Sequence, residues 1–192
     1  MDRKWAQHDV PTVTPDSFRA AIGHFASGVT VVSAATGSRR FGATVSAVSS
    51  LSLEPAMLLV CLNRQTGTAA AITRAGFFGV NVLAENQAHL AARFAGRAVG
   101  KFDDVPVTPG HHGQPLLTGA LAHYECRVAE QVQAGTHTVF IGEVHHAAAR
   151  EGKPLAYFRG RFGTLNLENH RAPDDELAAR IARYSIGDWP VT

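Results

Sequence analysis

Residues 41–63, FGATVSAVSSLSLEPAMLLVCLN, constrain the fold more than any other stretch, because strand-like apolar runs are interrupted there by a dense row of small and hydroxyl-bearing residues. Gly42, Ala43, Thr44, Ser46, Ala47, Ser49 and Ser50 leave almost no side-chain bulk above the peptide. Such a surface has two uses: a flat ligand can lie against main-chain N–H and C=O groups, or strands can pack tightly at a barrel corner. Glu54-Pro55 marks a bend, since proline holds the residue before it extended. Residues 57–62 then form an apolar run of the length expected for a strand buried on both faces.

The flanking sequence supplies more strands than helices. Thr14-Pro15-Asp16 is a helix start, with threonine as cap and proline at the first helical position. Phe18, Ala21, Ile22 and Phe25 fall on one face, and Gly28 is the predicted stop. Residues 29–36, the turn signal Gly37-Ser38 and residues 41–50 read as a hairpin. Thr66 or Thr68 caps a short helix ending at Gly76. Residues 77–83 are strand-like, and residues 86–95 read as a helix with Leu90 and Phe94 facing in.

Residues 96–118, rich in Gly, Pro and His, have little periodicity and read as a long connection wrapping the domain. Over residues 119–133, Ala122, Tyr124, Cys126 and Val128 alternate with His123, Glu125 and Arg127, as in a half-solvated antiparallel strand. A turn at 134–136 leads into residues 137–149, residues 154–158 and 161–167 make a last strand pair, and residues 174–184 read as a terminal amphipathic helix. Hairpins outnumber helical crossovers, so the expected fold is mainly β, an antiparallel barrel with flanking helices. The expected limits are a tail over residues 1–13, one domain over 14–168 and an extension over 169–192.

A chain of 192 residues, 45% hydrophobic and 18% charged, suits one domain with a substantial core. Its formal charge of +2, from 18 Lys and Arg against 16 Asp and Glu, gives no field that would argue for nucleic acid or an anionic membrane. MDRKWAQHDV lacks the apolar core of a secretory signal, and a cytoplasmic location is expected. Cys61 and Cys126, both in strand-like runs, are expected to be buried free thiols.

Several chemistries lack their motifs. No G-x-G-x-x-G follows a strand, and neither a P-loop nor a G-x-S-x-G elbow occurs. The ten histidines include the adjacent pairs His111-His112 and His145-His146, which read as polar surface; without H-E-x-x-H or C-x-x-C spacing, no metal is expected. Two features remain. The helix start at Thr66–Thr68 faces the end of the strand carrying Cys61 and Leu62, where free N–H groups and hydroxyls can hold a phosphate or merely cap the helix. His137 opens a strand straight after a glycine turn, either at a ligand-binding barrel mouth or as an ordinary hydrogen-bonded strand histidine.

Taken in order, the segments FRAAIGHFASGVTVVS, GATVSAVSSLSLEPAMLLVCLN, TGTAAAI, FGVNVL, LAARFA, Lys101-Phe102, GQPLL, LAHYECRV, GTH before TVFIGEV, and PLAYFRGRFGTL resemble one family. It is that of the short-chain flavin reductases, the small components of two-component flavin-dependent monooxygenases. The resemblance implies an antiparallel six-stranded split β-barrel of Greek-key type, the FMN-binding split barrel, and a homodimer. It also implies an enzyme that takes hydride from NADH or NADPH and passes it to free, exchangeable FAD or FMN for a partner oxygenase. Carried over by resemblance, the flavin ring meets Thr44, Val45, Ser46, Ala47, Ser49 and Ser50. Its phosphate meets Asn63, Thr66, Gly67 and Thr68 beside Cys61 and Leu62, Lys101 and Phe102 help close the site, His137 lies on the nicotinamide side, and Arg161 is a further pyridine-nucleotide contact. The chain departs from the family pattern at Thr136, where an acidic residue is usual, at Gly67, where a basic one is common, and at Ala56, the second of a usual proline pair. Two rival readings stand beside this one: a split-barrel enzyme holding FMN tightly for a small organic substrate, and a non-catalytic flavin-binding module.

Overall fold

The structure is a computed structural model and describes residues 12–166. Helix α1 (Pro15–Ile22) is followed by β1 (Ser27–Gly28), β2 (Thr30–Thr36), β3 (Arg39–Val45), β4 (Val48–Leu53), β5 (Ala56–Asn63), α2 (Gly67–Ala75), β6 (Phe77–Val82) and α3 (Ala88–Ala95). The chain continues through β7 (Val107–Pro109), β8 (Pro115–Leu117), β9 (Ala122–Ala134), β10 (His137–Ala149), β11 (Leu155–Phe158) and β12 (Arg161–Thr164). Strands β3, β2, β6, β9, β10, β5 and β4 form one antiparallel sheet in that order. The fold is mainly β with flanking helices, as the sequence predicts. The predicted terminal helix at 174–184 and the expected domain limit at 168 lie outside the described residues.

The sheet's two edge strands, β3 and β4, are consecutive in the chain. Only Ser46 and Ala47 join them, and the Cys61 N–H donates to the Ala47 carbonyl at 3.0 Å. The sheet therefore curls until its edges approach each other, which makes it a split barrel. Residues 41–50 are consequently not one strand, and the sheet has seven strands rather than six. β3 pairs with β2 while β4 pairs with β5, so the chain has to change partners, and it does so over two exposed small residues.

Two apolar cores lie on opposite sides of this sheet. Inside the barrel, Val32, Val45, Val60, Leu62, Phe78, Val80 and Phe140 pack with Ala69, Ala71 and Ile72 of α2. On the other side, Val29, Val31 and Leu83 pack with Leu90, Ala91 and Phe94 of α3 and with Phe102, Val105 and Leu117. β2 is therefore buried on both faces. β5 is not, contrary to expectation: Leu58, Val60 and Leu62 are buried, whereas Met57, Leu59 and Cys61 are half-buried, because an apolar run does not reveal how fully its outer face is covered. Cys61 is thus only partly sheltered, while Cys126 is buried and its thiol is pushed up to about 12 by burial and the nearby Glu125 carboxylate.

Helix α2 follows its sequence signals. The Thr66 hydroxyl accepts from the Ala69 N–H, and Gly76 ends the helix at φ +73°, a conformation suited to glycine. Helix α1 starts as predicted, with Thr14 accepting from the Ser17 N–H, but stops at Gly23 rather than Gly28. Its apolar face is not in a core: Phe18, Ile22 and Phe25 are exposed. The helix is fastened instead through its end, where the Arg159 N–H donates to the Gly23 carbonyl at 3.0 Å and His24 meets the Phe158 ring edge-on.

The connection over 96–118 contains the short β7–β8 hairpin and buries Phe102, Val105, Leu116 and Leu117, too few residues per element to leave a period. Asn81 anchors it by accepting from the Leu117 N–H at 2.7 Å, and the Ser33 hydroxyl donates to the Pro115 carbonyl at 2.6 Å. Glu125, expected on a solvated face, is buried at 3% exposure because this connection folds over it. Its carboxylate accepts from the His111 N–H and from Gln114 Nε2, each at 2.7 Å, and lies 3.0 Å from His111 Nδ1. The histidine pair is thus part of the connection's anchorage, with His112 stacked on Phe77 at 3.7 Å between ring centres.

Burial by itself would raise the Glu125 pKa, but the hydrogen bonds from His111 and the positive charge of His111 and His146 outweigh it and hold the group below the usual carboxylate range. A carboxylate whose folded pKa is lowered stabilises the fold fully above its unfolded pKa, about 4.3 for glutamate, and loses that contribution as pH falls through the folded value. Glu125→Gln is expected to flatten the acid limb of stability below about pH 5 in urea titrations. An unaltered acid limb would show that the carboxylate is not ionised in the folded state.

Candidate active site

Most of the predicted site residues gather where the barrel is split. β3 and the Ser46-Ala47 crossing form one wall, the end of β5 and the start of α2 a second, and the end of α3 with residues 96–101 a third. Together they enclose a cavity of about 910 Å³. Thr44, Val45, Ser46, Ala47, Cys61, Leu62, Asn63, Thr66, Gly67, Thr68, Lys101 and His137 all line it. Ser49 and Ser50 lie beyond it on the exposed edge strand β4, and Arg161 lies on β12 in the separate sheet β1-β11-β12. Phe102 lies behind the wall, buried edge-on against Phe94.

The wall of β3 is held by α3. A Cβ placed on Gly42 would lie 2.7 Å from the Phe94 ring, so only glycine lets the strand settle at this depth. The Thr44 hydroxyl donates to the Ala91 carbonyl at 2.6 Å, which fastens strand to helix and leaves that hydroxyl only its acceptor capacity for a ligand. Lys101 Nζ donates to the Phe94 carbonyl at 2.9 Å and the Gly42 carbonyl at 3.3 Å, and burial lowers its pKa. Ser46 and Ala47 are exposed and small, so the crossing puts little side-chain bulk beside the cavity.

At the second wall, side chains that the sequence offers as ligands turn out to shape the loop. Asn63 Oδ1 accepts from the Gln65 N–H at 2.9 Å, and the Thr66 hydroxyl donates to the Asn63 carbonyl at 2.8 Å while capping α2. What faces the cavity is the helix start itself, where the first-turn N–H groups have no intrahelical acceptor. Thr68, only 4% exposed, lines the cavity there. His137 opens β10 opposite Asn63, and its Nδ1 lies 2.9 Å from the Thr136 hydroxyl. Threonine therefore occupies the hydrogen-bonding place beside the imidazole that the missing acidic residue left open.

Sequence reasoning missed Arg39, Arg40, Phe41, Gln65, Phe94 and most of the 95–100 segment, all of which line the cavity. The two arginines were discoverable, because they directly follow the Gly37-Ser38 turn on the strand that carries the small residues. No Asp or Glu is among the described lining residues, whereas Arg39, Arg40, Arg97 and Lys101 are. A flat peptide wall, a helix N-terminus and a surplus of positive charge fit a planar ligand bearing phosphate.

Comparisons with known proteins agree with this fit. Residues 22–166 match the flavin reductase like domain. The chain is 52% identical over 146 residues to a 4-nitrophenol 4-monooxygenase/4-nitrocatechol 2-monooxygenase reductase component of Rhodococcus opacus, covering 76% of this chain and 78% of that one. It is 42% identical over 154 residues to an NADH-dependent FMN reductase of Agrobacterium fabrum, covering 79% and 87%. Among solved structures, a Streptomyces globisporus NADH:FAD oxidoreductase in complex with NAD and FAD fragments superimposes with a TM-score of 0.77 at 32% identity, covering 83% of this chain and 99% of that one. By its matched domain, its relatives and its split-barrel architecture, this chain belongs to the flavin reductase-like domain family.

Proposed function

We propose that this protein is an NAD(P)H-dependent flavin reductase that reduces free FAD or FMN and releases it to a separate flavin-dependent monooxygenase. The observation that carries the reading is the cavity wall of near-bare peptide at Gly42–Ala47, set beside the start of α2. Hydride passes from nicotinamide C4 to flavin N5, which requires two stacked rings with the reacting atoms about 3–3.5 Å apart and no strong acid or base from the protein. The protein's part is to position. The β3 wall and the crossing at Ser46-Ala47 support one ring face, the α2 start and Thr68 hold the phosphate, and His137 borders the side left open for the nicotinamide. Contacts made largely through peptide groups also favour release of the reduced product.

NADH oxidation measured with added riboflavin, FMN and FAD tests this reading. Flavin-dependent turnover supports it. Consumption that stays at background favours a non-catalytic module, and yellow FMN retained through dialysis without reduction of added flavin favours the tight-binding enzyme. His137→Ala is expected to raise KM for the nicotinamide substrate several-fold while leaving flavin Kd within about twofold, since one hydrogen bond is worth ~0.5–1.5 kcal/mol. An unchanged KM would return His137 to a purely structural role.

The proposed assembly is a homodimer. Phe18, Ile22 and Phe25 of the α1 region are exposed together with Phe158, Phe162 and Leu165, more apolar surface at one end than a solvated monomer favours. Sedimentation giving a monomer mass at micromolar concentration would refute it. The proposed location is cytoplasmic, in keeping with two free cysteines. No helix among the described residues is long and apolar enough to cross a membrane.

A further inference from the structure

We infer that Arg39 is the cation that holds the flavin's phosphate, carried on the ring of Phe41 to the first turn of α2. The inference depends on the flavin reading above. Gly67, the first residue of α2, offers no side chain, Thr66 is occupied in capping the helix, and Asn63, whose Oδ1 accepts from the Gln65 N–H, has only a neutral amide to offer. Lys101 is tied to two carbonyls on the α3 side of the cavity. One hydroxyl at this helix start nonetheless remains free to meet a ligand. Thr68 is 96% buried, lines the cavity, and its hydroxyl has no protein partner among the described residues.

The alternation of β3 places Arg39 and Phe41 on the same side of the strand. The Arg39 guanidinium carbon lies 5.2 Å from the centre of the Phe41 ring. That ring in turn covers Gly67, where an added Cβ would sit 3.5 Å from it. Arg39, Phe41 and Gly67 therefore form a continuous stack that ends on the α2 N-terminus. All three line the cavity, and no Asp or Glu among the described lining residues competes for the guanidinium. A phosphate at the helix start would meet peptide N–H groups and the Thr68 hydroxyl from the protein side, and a guanidinium able to bind two of its oxygens from the solvent side. Arg39 is exposed, so replacing it leaves the cores intact.

The test is to titrate riboflavin, FMN and FAD into unsubstituted protein, Arg39→Gln and Arg39→Lys at two salt concentrations, and to measure KM for NADH and NADPH. Arg39→Gln is expected to raise Kd for FMN and FAD about tenfold or more, to leave riboflavin unchanged, and to make FMN binding less sensitive to salt. Arg39→Lys is expected to fall between, because lysine keeps the charge without the planar fork. An unchanged Kd for FMN, or an equal loss for riboflavin, overturns the inference while leaving the flavin reading intact. A raised KM for either nicotinamide nucleotide with unchanged flavin Kd also overturns it, since the arginine then reads the other substrate's phosphate. Unsubstituted protein that binds none of the three flavins overturns the flavin reading and this inference together.

Discussion

Truncation of Phe94 to alanine is expected to lower the free energy of unfolding by ~3–5 kcal/mol and to weaken flavin binding in the protein that remains folded. Phe94 is 1% exposed and packs edge-on against Phe102, with ring centres 4.8 Å apart. Its ring also fills the space that a side chain at Gly42 would otherwise occupy. Removal loses apolar burial and leaves a void, because backbone on both sides fixes the distance between β3 and α3. Against a total stability of ~5–15 kcal/mol for a domain, such a loss moves the urea midpoint far.

The functional half of this prediction follows from the same contacts. The Phe94 carbonyl accepts from Lys101, and the Gly42 carbonyl accepts from the same ammonium, so helix, strand and lysine move as one. With the ring gone, β3 is free to sink and the peptide wall loses its flatness. Urea unfolding followed by flavin titration at zero denaturant separates the two effects. A large stability loss with unchanged flavin Kd would mean that the β3 wall is not a ligand surface.

Replacing Thr68 by valine is expected to raise Kd for FMN and FAD about tenfold and to leave riboflavin unaffected, since a hydrogen bond to a charged group is worth ~1.5–3 kcal/mol. Valine keeps the shape of a side chain that is only 4% exposed. The neighbouring Thr66 behaves differently. Its hydroxyl caps α2, so Thr66→Ala costs about 1 kcal/mol of stability whatever occupies the cavity. Equal loss for FMN and riboflavin in Thr68→Val would place the phosphate elsewhere.

Much of this arrangement was legible without coordinates. A threonine cap at 66 or 68, the stop at Gly76, the hairpin turns and the inward face of Leu90 and Phe94 are written in local preference, where a residue's own backbone and side-chain limits decide the outcome. The small-residue run at residues 42–47 likewise marks its own location. Local chemistry did not report where apolar faces end up. α1 has the pattern of a packed helix yet exposes Phe18 and Ile22, and residues 57–62 look buried on both faces yet are half-covered on one. Glu125 shows the converse, a charged residue at a nominally solvated position that the 96–118 connection folds over.

By itself, then, the sequence determined the strand-rich class, the helix starts and the row of bare peptide, because each follows from steric and hydrogen-bonding limits within a few consecutive residues. Only the tertiary structure decided that β3 and β4 part at Ser46-Ala47 to opposite edges of one sheet, and that Phe41, with Arg39 over its ring, lies against the start of α2. Those are meetings between residues distant in sequence, and they are set by how the sheet curls and which core each face enters. No single segment carries that information.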